Sequence, residues 1–165
     1  MDGVKKLPEK EKCLAVLRLR GSVNIARELE QVFHLLHLNR KNHLTLMKAH
    51  PSNMGMIHRI KDYATWGEVT HETISNLIEK RGRLKGNQRL TDDKVKEKLG
   101  YPSIEQLANA IYTLQTDLWK IPGLKPIFRL HPPKGGFHGS IKKPYPKGEL
   151  GYRGDKINDL LAKMI

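Results

Sequence analysis

The chain contains 165 residues, which is enough for one ordinary domain or for a small domain with an extension. Its 30 lysines and arginines outnumber 17 aspartates and glutamates, and the net charge of +13 is larger than the solubility of a small domain requires. We therefore expect a polyanionic partner. Cys13 is the only cysteine, which excludes an intrachain disulfide framework and a cysteine-rich zinc site.

The N-terminal residues do not have the pattern of a secretory leader. Residues 1–12 carry charges and Pro8 where a leader needs an apolar stretch. No part of the chain approaches the roughly 18 consecutive apolar residues of a membrane span. We therefore expect a cytoplasmic protein in a reducing compartment, with no membrane partner.

The positive charge is concentrated in two parts of the sequence. Residues 1–90 carry a net charge of +8 and residues 122–154 carry +6, whereas residues 91–121 carry −1. This distribution predicts two basic regions joined by a near-neutral spacer. We expect them to grip a large folded polyanion at two places.

The first half of the chain predicts the order β-α-β-α-β. Alternating residues predict a first strand with one apolar face and a second face that ends in Arg18 and Arg20. Apolar residues at helical spacing predict two helices, and Ser52 or Asn53 can cap the second. The predicted elements are strand 14–20, helix 25–36, strand 42–49, helix 52–63 and strand 65–69.

Helical patterns and a basic segment follow the last of these strands. Thr70 is predicted to cap a third helix, which ends at Gly82 in a left-handed C-terminal cap. Residues 80–89 contain five cations and no acid, which predicts a mobile basic loop. Two further helices are expected, one over residues 91–100 and one capped by Ser103.

Residues 122–154 contain seven glycines and six prolines, too many for a regular element, and predict an extended arm. Its cations can neutralise phosphates, and its aromatic rings can stack on exposed bases. Those rings belong to Phe128, Phe137, Tyr145 and Tyr152. We expect the arm to become ordered on a partner's surface. The alternative is a disordered tail, but a short helix capped by Asp155 follows the arm, and a tail would not need it.

The titratable residues form no recognisable catalytic or metal site. His34 and His37 lie three residues apart on a predicted helix, but no carboxylate or cysteine is suitably placed nearby, so surface histidines are favoured. Residues 131–139 hold two histidines and a Gly-Gly pair but lack the preceding strand and following helix of a nucleotide-binding loop. We predict no cofactor and no metal, and we expect Cys13 to serve packing.

Six segments of the sequence together carry a family resemblance. They are LRLRGSVN (17–24), LHLNRKNH (36–43), GMIHRIKDY (55–63), TWGE (65–68), LHPPKGGFHG (130–139) and KKPYPKGELGYRG (142–154). In this order they resemble the large-subunit ribosomal protein family numbered thirty in bacteria and archaea and seven in eukaryotes, in its archaeal form. The resemblance extends from about residue 14 to the C-terminus.

The resemblance implies an α+β fold. Its β-α-β-α-β core would have a three-stranded antiparallel sheet with helices on one side, a ferredoxin-like half, followed by a helical and extended C-terminal extension. The corresponding division is an N-terminal tail (1–12), the core (13–82), and a region (83–165) with the basic loop, helices, the arm and the C-terminal helix.

The resemblance and the charge pattern predict a structural constituent of the large ribosomal subunit, not an enzyme, that binds large-subunit ribosomal RNA through phosphates and shape. We expect one copy per subunit, beside other large-subunit proteins and near the small 5S RNA. The predicted RNA-binding residues are Arg18, Arg20, Arg40, Lys41, Arg59, Lys61, Arg81, Arg83, Lys85, Arg89, Arg129, His131, Lys134, His138, Lys142, Lys143, Lys147 and Arg153.

Two alternatives use the same surface. One is a free RNA-binding regulator or RNA chaperone that acts outside the ribosome. The other is an RNA-modifying or RNA-cleaving enzyme with His131 or His138 in acid-base catalysis, although neither histidine has a carboxylate partner apparent in the sequence.

Overall fold

Six strands form one mixed sheet within residues 12–165, the part of the chain that the computed structural model describes. The predicted N-terminal tail lies outside the described residues except for Lys12. In spatial order the strands are β4 (Phe128–Arg129), β2 (His43–Lys48), β1 (Cys13–Arg18), β3 (Ala64–Glu68), β6 (Gly148–Tyr152) and β5 (Ser140–Pro144).

The three central strands confirm the predicted antiparallel core. Val16 in β1 lies opposite Thr45 in β2 and opposite Trp66 in β3, and both pairings are antiparallel. The prediction of a sheet with only three strands is wrong. β4 extends the sheet beside β2, and β6 pairs in parallel with β3. β5 forms the outer edge through an irregular pairing with β6.

Within the described residues, six α-helices connect and cover the strands. They are α1 (Arg27–Leu35), α2 (Pro51–Arg59), α3 (His71–Arg81), α4 (Asp92–Lys94), α5 (Ile104–Tyr112) and α6 (Ile157–Met164). α4 continues into a π-helical turn, Val95–Leu99, which stops at Gly100, where a φ of +76° favours glycine. Short 3₁₀ turns occupy Leu118–Lys120 and Gly154–Lys156.

The predicted helix caps are partly confirmed. Thr70 caps α3 and Ser103 caps α5, each by accepting a hydrogen bond from a backbone N–H three residues later. α2 begins earlier than predicted, because Nδ1 of His50 accepts the hydrogen bond of its first turn and Pro51 occupies the first helical position. The predicted Asp155 cap is wrong, since α6 begins from a 3₁₀ turn without a side-chain cap.

The core helices α1 and α2 pack on one face of the sheet, as the resemblance implied, and α3, α5 and α6 cover the other face. All six residues of β1 are buried. Leu14 and Val16 pack on one face in a cluster with Phe33 of α1 and Ile57 of α2. On the other face, Leu17 belongs to a larger cluster, to which α3, α5 and α6 contribute Leu77, Ile111 and Leu161. The sequence of a strand that is buried on both faces is a nearly continuous run of apolar residues.

Residues 83–89, predicted as a basic loop, form a hairpin that is anchored at its base and exposed over residues 85–89. Arg83 pairs with Arg89, and the buried Leu84 bridges to Leu124. Gly82 does not form the predicted left-handed cap, since its φ is −59°. Glycine is needed there for a different reason: a Cβ would overlap the Ile78 carbonyl of α3.

The glycine- and proline-rich arm contributes β4, β5 and β6, so the expectation of no regular element is wrong. Strands from the predicted core (13–82) and from the predicted region 83–165 therefore belong to one sheet. Glycines allow the backbones of these segments to pack closely. A Cβ on Gly148 would overlap the Lys143 carbonyl, and a Cβ on Gly67 would overlap the Gly154 carbonyl. Pro144 lies at the end of the edge strand, where proline costs no ladder hydrogen bond.

Candidate nucleic-acid interface

Four segments meet at one end of the sheet and bring together cations that are distant in sequence. The N–H of Asn42 donates to the Arg18 carbonyl (2.7 Å), and the N–H of Leu130 donates to the Asn42 carbonyl (3.0 Å). The segment before β3 joins them, because the N–H of Leu19 donates to the Tyr63 carbonyl (2.9 Å). We call this surface the basic end. Its exposed or half-exposed basic side chains are Arg20, Arg40, Lys41, Lys61, Arg129 and His131.

Arg20 is held in place by two contacts. Its Nη1 donates to the Asp62 carbonyl (3.1 Å), and its guanidinium carbon lies 4.8 Å from the ring centroid of Tyr63. The side chain remains half-exposed. A guanidinium fixed in this way loses little side-chain entropy when it binds a phosphate, and its remaining donors suit two-point contact.

The C-terminal end of α6 extends the basic end. The N–H of His131 donates to the Met164 carbonyl (3.1 Å), and the N–H of Lys134 donates to the Lys163 carbonyl (3.1 Å). Nζ of Lys163 lies 2.9 Å from Nε2 of His138. Lys163 lies in the last turn of α6, where the helix dipole stabilises a positive charge. The predicted site residues His131, Lys134 and His138 therefore lie together.

The end of α3, which leads into the hairpin 83–89, is attached beside this surface. Arg81, at the end of α3, donates from Nη2 to the backbone carbonyl of Ile165 (3.1 Å), next to the end of α6. Arg83 donates to the Gly82 carbonyl (3.0 Å), which leaves its other donors available. Lys85 and Arg89 are exposed.

The remaining predicted cations lie further along the surface. Arg59 is exposed on the last turn of α2. Lys142 and Lys143 are exposed on the edge strand β5, and Lys147 is exposed in the turn that follows it. Lysines on an edge strand also keep a second strand from pairing with it.

Arg18 lies inside the fold, which corrects its assignment to the RNA-binding surface. It is 1% exposed, with its guanidinium carbon 4.0 Å from the Phe33 ring centroid. Its nitrogens donate to the Leu38 carbonyl (2.7 Å), the Arg20 carbonyl (2.8 Å) and the Ser22 hydroxyl (3.1 Å). Burial lowers its pKa from the usual value. Arg18 therefore holds the loop after β1 in place and cannot reach a phosphate.

Arg153 is also buried, and its predicted contact with RNA is likewise corrected. Its Nη2 lies 2.6 Å from Oε2 of Glu149, and its Nε donates to the Thr65 hydroxyl (2.9 Å). Glu149 also accepts a hydrogen bond from the N–H of Gly139 (2.9 Å). Burial opposes ionisation of Glu149, but these hydrogen bonds outweigh it, so its pKa lies below the usual value. The pair joins β6 to β3 and to the start of β5.

The aromatic residues of the arm differ in exposure. Phe128 is in the core and cannot stack on a base. Phe137 is partly buried against the core. The Tyr152 hydroxyl donates to both Glu68 oxygens (2.7 and 2.8 Å). The Tyr145 ring lies beside the buried Arg153, with 5.3 Å between the ring centroid and the guanidinium carbon. Among these four rings, Tyr145 and Tyr152 are the most exposed, and Phe137 is accessible only in part.

His43 was not singled out from the sequence, although it lies at the basic end. It pairs with Arg129 across β2 and β4, and its buried Nδ1 has no hydrogen-bond partner. Burial lowers the pKa of His43, and Arg129, Arg40 and Arg18 lower it further. The positive potential of the basic end therefore favours the neutral imidazole.

Residues 12–165 contain no cluster of metal ligands, no membrane-spanning helix and no reactive thiol. Among residues 12–165, no three His, Cys, Asp or Glu side chains are grouped closely enough to hold a metal ion. In the same range, no helix combines the length and apolar character needed to cross a bilayer. The Cys13 thiol is buried, which raises its pKa to about 12 and keeps it protonated at neutral pH.

Comparisons with known proteins agree with these observations. The family model described as ribosomal protein L30p/L7e matches residues 14–64. A protein named large ribosomal subunit protein uL30 from Methanopyrus kandleri is 48% identical over 149 residues, which cover 89% of this chain and all of the relative. The corresponding protein of Archaeoglobus fulgidus is 45% identical over 150 residues, which cover 91% of this chain and 98% of the relative.

Proposed function

Because the chain belongs to the ribosomal protein L30p/L7e family, we propose that it is a structural constituent of the large ribosomal subunit, of archaeal type. In this role it acts in translation within the cytoplasmic ribosome and binds large-subunit ribosomal RNA. The observation that carries this proposal is the basic end, where cations from four chain segments converge on a rigid scaffold.

The proposed mode of binding is phosphate neutralisation combined with recognition of RNA shape. The exposed cations lie on strand ends, a hairpin and helix ends, so their spacing is fixed before RNA arrives. The proposed contacts are Arg20, Arg40, Lys41, Arg59, Lys61, Arg81, Arg83, Lys85, Arg89, Arg129, His131, Lys134, His138, Lys142, Lys143 and Lys147. If about eight of them contact phosphates, affinity falls steeply with salt, with a log-log slope of roughly −6 to −7.

The proposal includes one copy per subunit, neighbouring large-subunit proteins and a position near the 5S RNA. The protein acts without catalysis and without a cofactor. A rigid basic surface of this kind fixes RNA helices relative to one another, which is the contribution expected of a structural constituent.

Sedimentation of a native extract tests the ribosomal role. The protein should comigrate almost completely with large subunits at low salt and be released as salt rises. A predominantly free pool at low salt would contradict the proposal and support the alternative of a free RNA-binding regulator. RNA affinity that does not change with salt would contradict the proposed binding mode.

A further inference from the structure

A depression at the centre of the basic end is lined in part by aromatic and aliphatic side chains, which phosphate binding alone does not require. Segments after β1, before β2 and before β3 meet the arm there. The depression has a volume of about 330 Å³, and sites for small organic groups start at roughly 300 Å³. Arg20 and Lys41 supply charge, whereas Tyr63, Phe137 and Ile141 supply aromatic and aliphatic surface.

The ring of Tyr63 and the guanidinium of Arg20 form a fixed pair on one side of the depression. Tyr63 meets the ring of Phe33 edge to face, at 6.1 Å between centroids. Arg20 lies 4.8 Å from the Tyr63 centroid and is held by the Asp62 carbonyl. Unpaired RNA bases stack on aromatic rings and on guanidinium planes. This pair therefore supplies a surface that suits a base and needs no rearrangement.

Val23 lines the same depression and is 86% exposed. Its loop is rigid because the Ser22 hydroxyl accepts a hydrogen bond from the buried Arg18, and the N–H of Ile25 donates to the Ser22 carbonyl. The next residue, Asn24, has a φ of +56°, which turns the chain sharply. An apolar side chain is thus held in solvent beside an aromatic wall and several cations.

Building on the RNA binding proposed above, we propose that this depression receives the base of one unpaired RNA nucleotide. The Tyr63–Arg20 pair and Val23 contact the base, and Lys41 contacts its phosphate. The other cations of the basic end contact phosphates of the flanking RNA. The preferred ligand is therefore RNA with an extruded nucleotide, and an uninterrupted duplex binds less tightly.

Two RNA hairpins test this assignment with the full-length protein. One has a fully paired stem, and the other has the same stem with one additional unpaired fluorescent adenine analogue. We expect the second to bind at least about five-fold more tightly, the lower end of the effect of stacking one base. The analogue's emission should fall on binding because stacking quenches it.

Val23→Ser is the informative variant, since so exposed a side chain contributes little to folding. It should reduce the preference for the unpaired nucleotide about four-fold, the effect of losing roughly one buried methyl contact, while leaving affinity for the paired stem within about two-fold. Leu35→Ser is the matched control, because Leu35 is 63% exposed on α1 and does not line the depression. It should keep the preference.

The outcomes separate the two proposals. Equal affinity for both hairpins, with unchanged emission and salt-dependent binding, would overturn the nucleotide site and leave the proposed function standing. The same reduction of the preference in Leu35→Ser as in Val23→Ser would also overturn the nucleotide site. Absence of binding to either hairpin at low salt would overturn both proposals.

Discussion

Removal of the Glu149 carboxylate is expected to destabilise the protein strongly. The Glu149 and Arg153 side chains are only 7% and 5% exposed, and their charged atoms lie 2.6 Å apart. Glu149→Ala leaves the guanidinium charge buried without its counter-ion and removes the acceptor of the Gly139 N–H. Breaking a buried ion pair by removing one partner costs about 3–5 kcal/mol. For a chain of this length, that corresponds to a fall in Tm of roughly 6–20 °C.

Two comparisons isolate the buried charge as the cause. Asp159→Ala breaks the Lys156–Asp159 pair, whose side chains are 69% and 73% exposed and whose charged atoms are 3.7 Å apart. It should cost under about 1 kcal/mol. The double variant with methionine at positions 149 and 153 removes both charges. We expect it to be more stable than Glu149→Ala, because it leaves no unpaired charge in the interior.

Thermal and denaturant unfolding of the RNA-free, full-length chain measure these differences. Circular dichroism follows the helices, and tryptophan fluorescence follows the sheet through Trp66, which lies in β3 beside β1. A Tm for Glu149→Ala within the range of Asp159→Ala would refute the reasoning, because it would mean that the pair is solvated. A double variant less stable than Glu149→Ala would refute the assignment of the loss to an unpaired charge.

Four further expectations follow from the same contacts. Burial raises the pKa of Glu149, but the hydrogen bonds that it accepts lower the pKa by more than burial raises it. The ionised Glu149 therefore stabilises the fold fully above its unfolded-state pKa, and this stabilisation is lost as pH falls. Denaturant unfolding should therefore find that the wild type loses stability below about pH 4.5 faster than Glu149→Gln. Arg18→Leu should lower the free energy of unfolding by about 2 kcal/mol or more, because buried carbonyls lose their donors, while the salt slope of RNA binding stays unchanged. In thermal melts, Gly148→Ala should cost about 1–3 kcal/mol through overlap with a carbonyl, whereas Gly55→Ala, which meets open space in α2, should stabilise by about 0.5–1 kcal/mol. Alkylation of Cys13 at pH 8 should require unfolding, and equal rates for the native and denatured chain would contradict the buried, protonated thiol.

Local periodicity predicted the elements whose structure depends on near neighbours. The β-α-β-α-β order and α6 follow from apolar spacing, and the caps at Thr70 and Ser103 follow from side chains that reach three residues along the chain. The bounds of the short second helix were less accurate, because a histidine before Pro51 accepts the capping hydrogen bond. Histidine is not among the residues preferred at that position.

Pairing over long sequence distances could not be predicted in this way. β6 pairs with β3 through Thr65 and Gly151, and Arg153 closes the contact by donating to the Thr65 hydroxyl. Glycine and proline disfavour strands in general, but in this arm Gly148 permits a close approach that a Cβ would block. Their abundance therefore led to the wrong expectation of an irregular arm.

One signal in the sequence could have identified the buried part of the arm. Glu149 is the only acid within residues 122–154 and stands four residues before Arg153. A single acid in so basic a segment, close to a cation, is a candidate for a buried ion pair. Arg18 offered no such signal, since alternation places it on the second face of β1 but does not indicate that α1 covers that face.

The sequence predicted that the cations of the basic end are exposed, but it did not predict that cations from both basic regions lie on one surface. The sequence predicts two separate basic regions with a near-neutral spacer between them. The structure joins part of them, because His43 lies opposite Arg129 across β2 and β4 and the N–H of Leu130 donates to the Asn42 carbonyl. Arg129 from the second region therefore lies at the same end of the sheet as Arg40 and Lys41 from the first. Under the proposed function, the RNA that these residues bind presents closely grouped phosphates at this end of the sheet, as a folded junction does and a single extended strand does not.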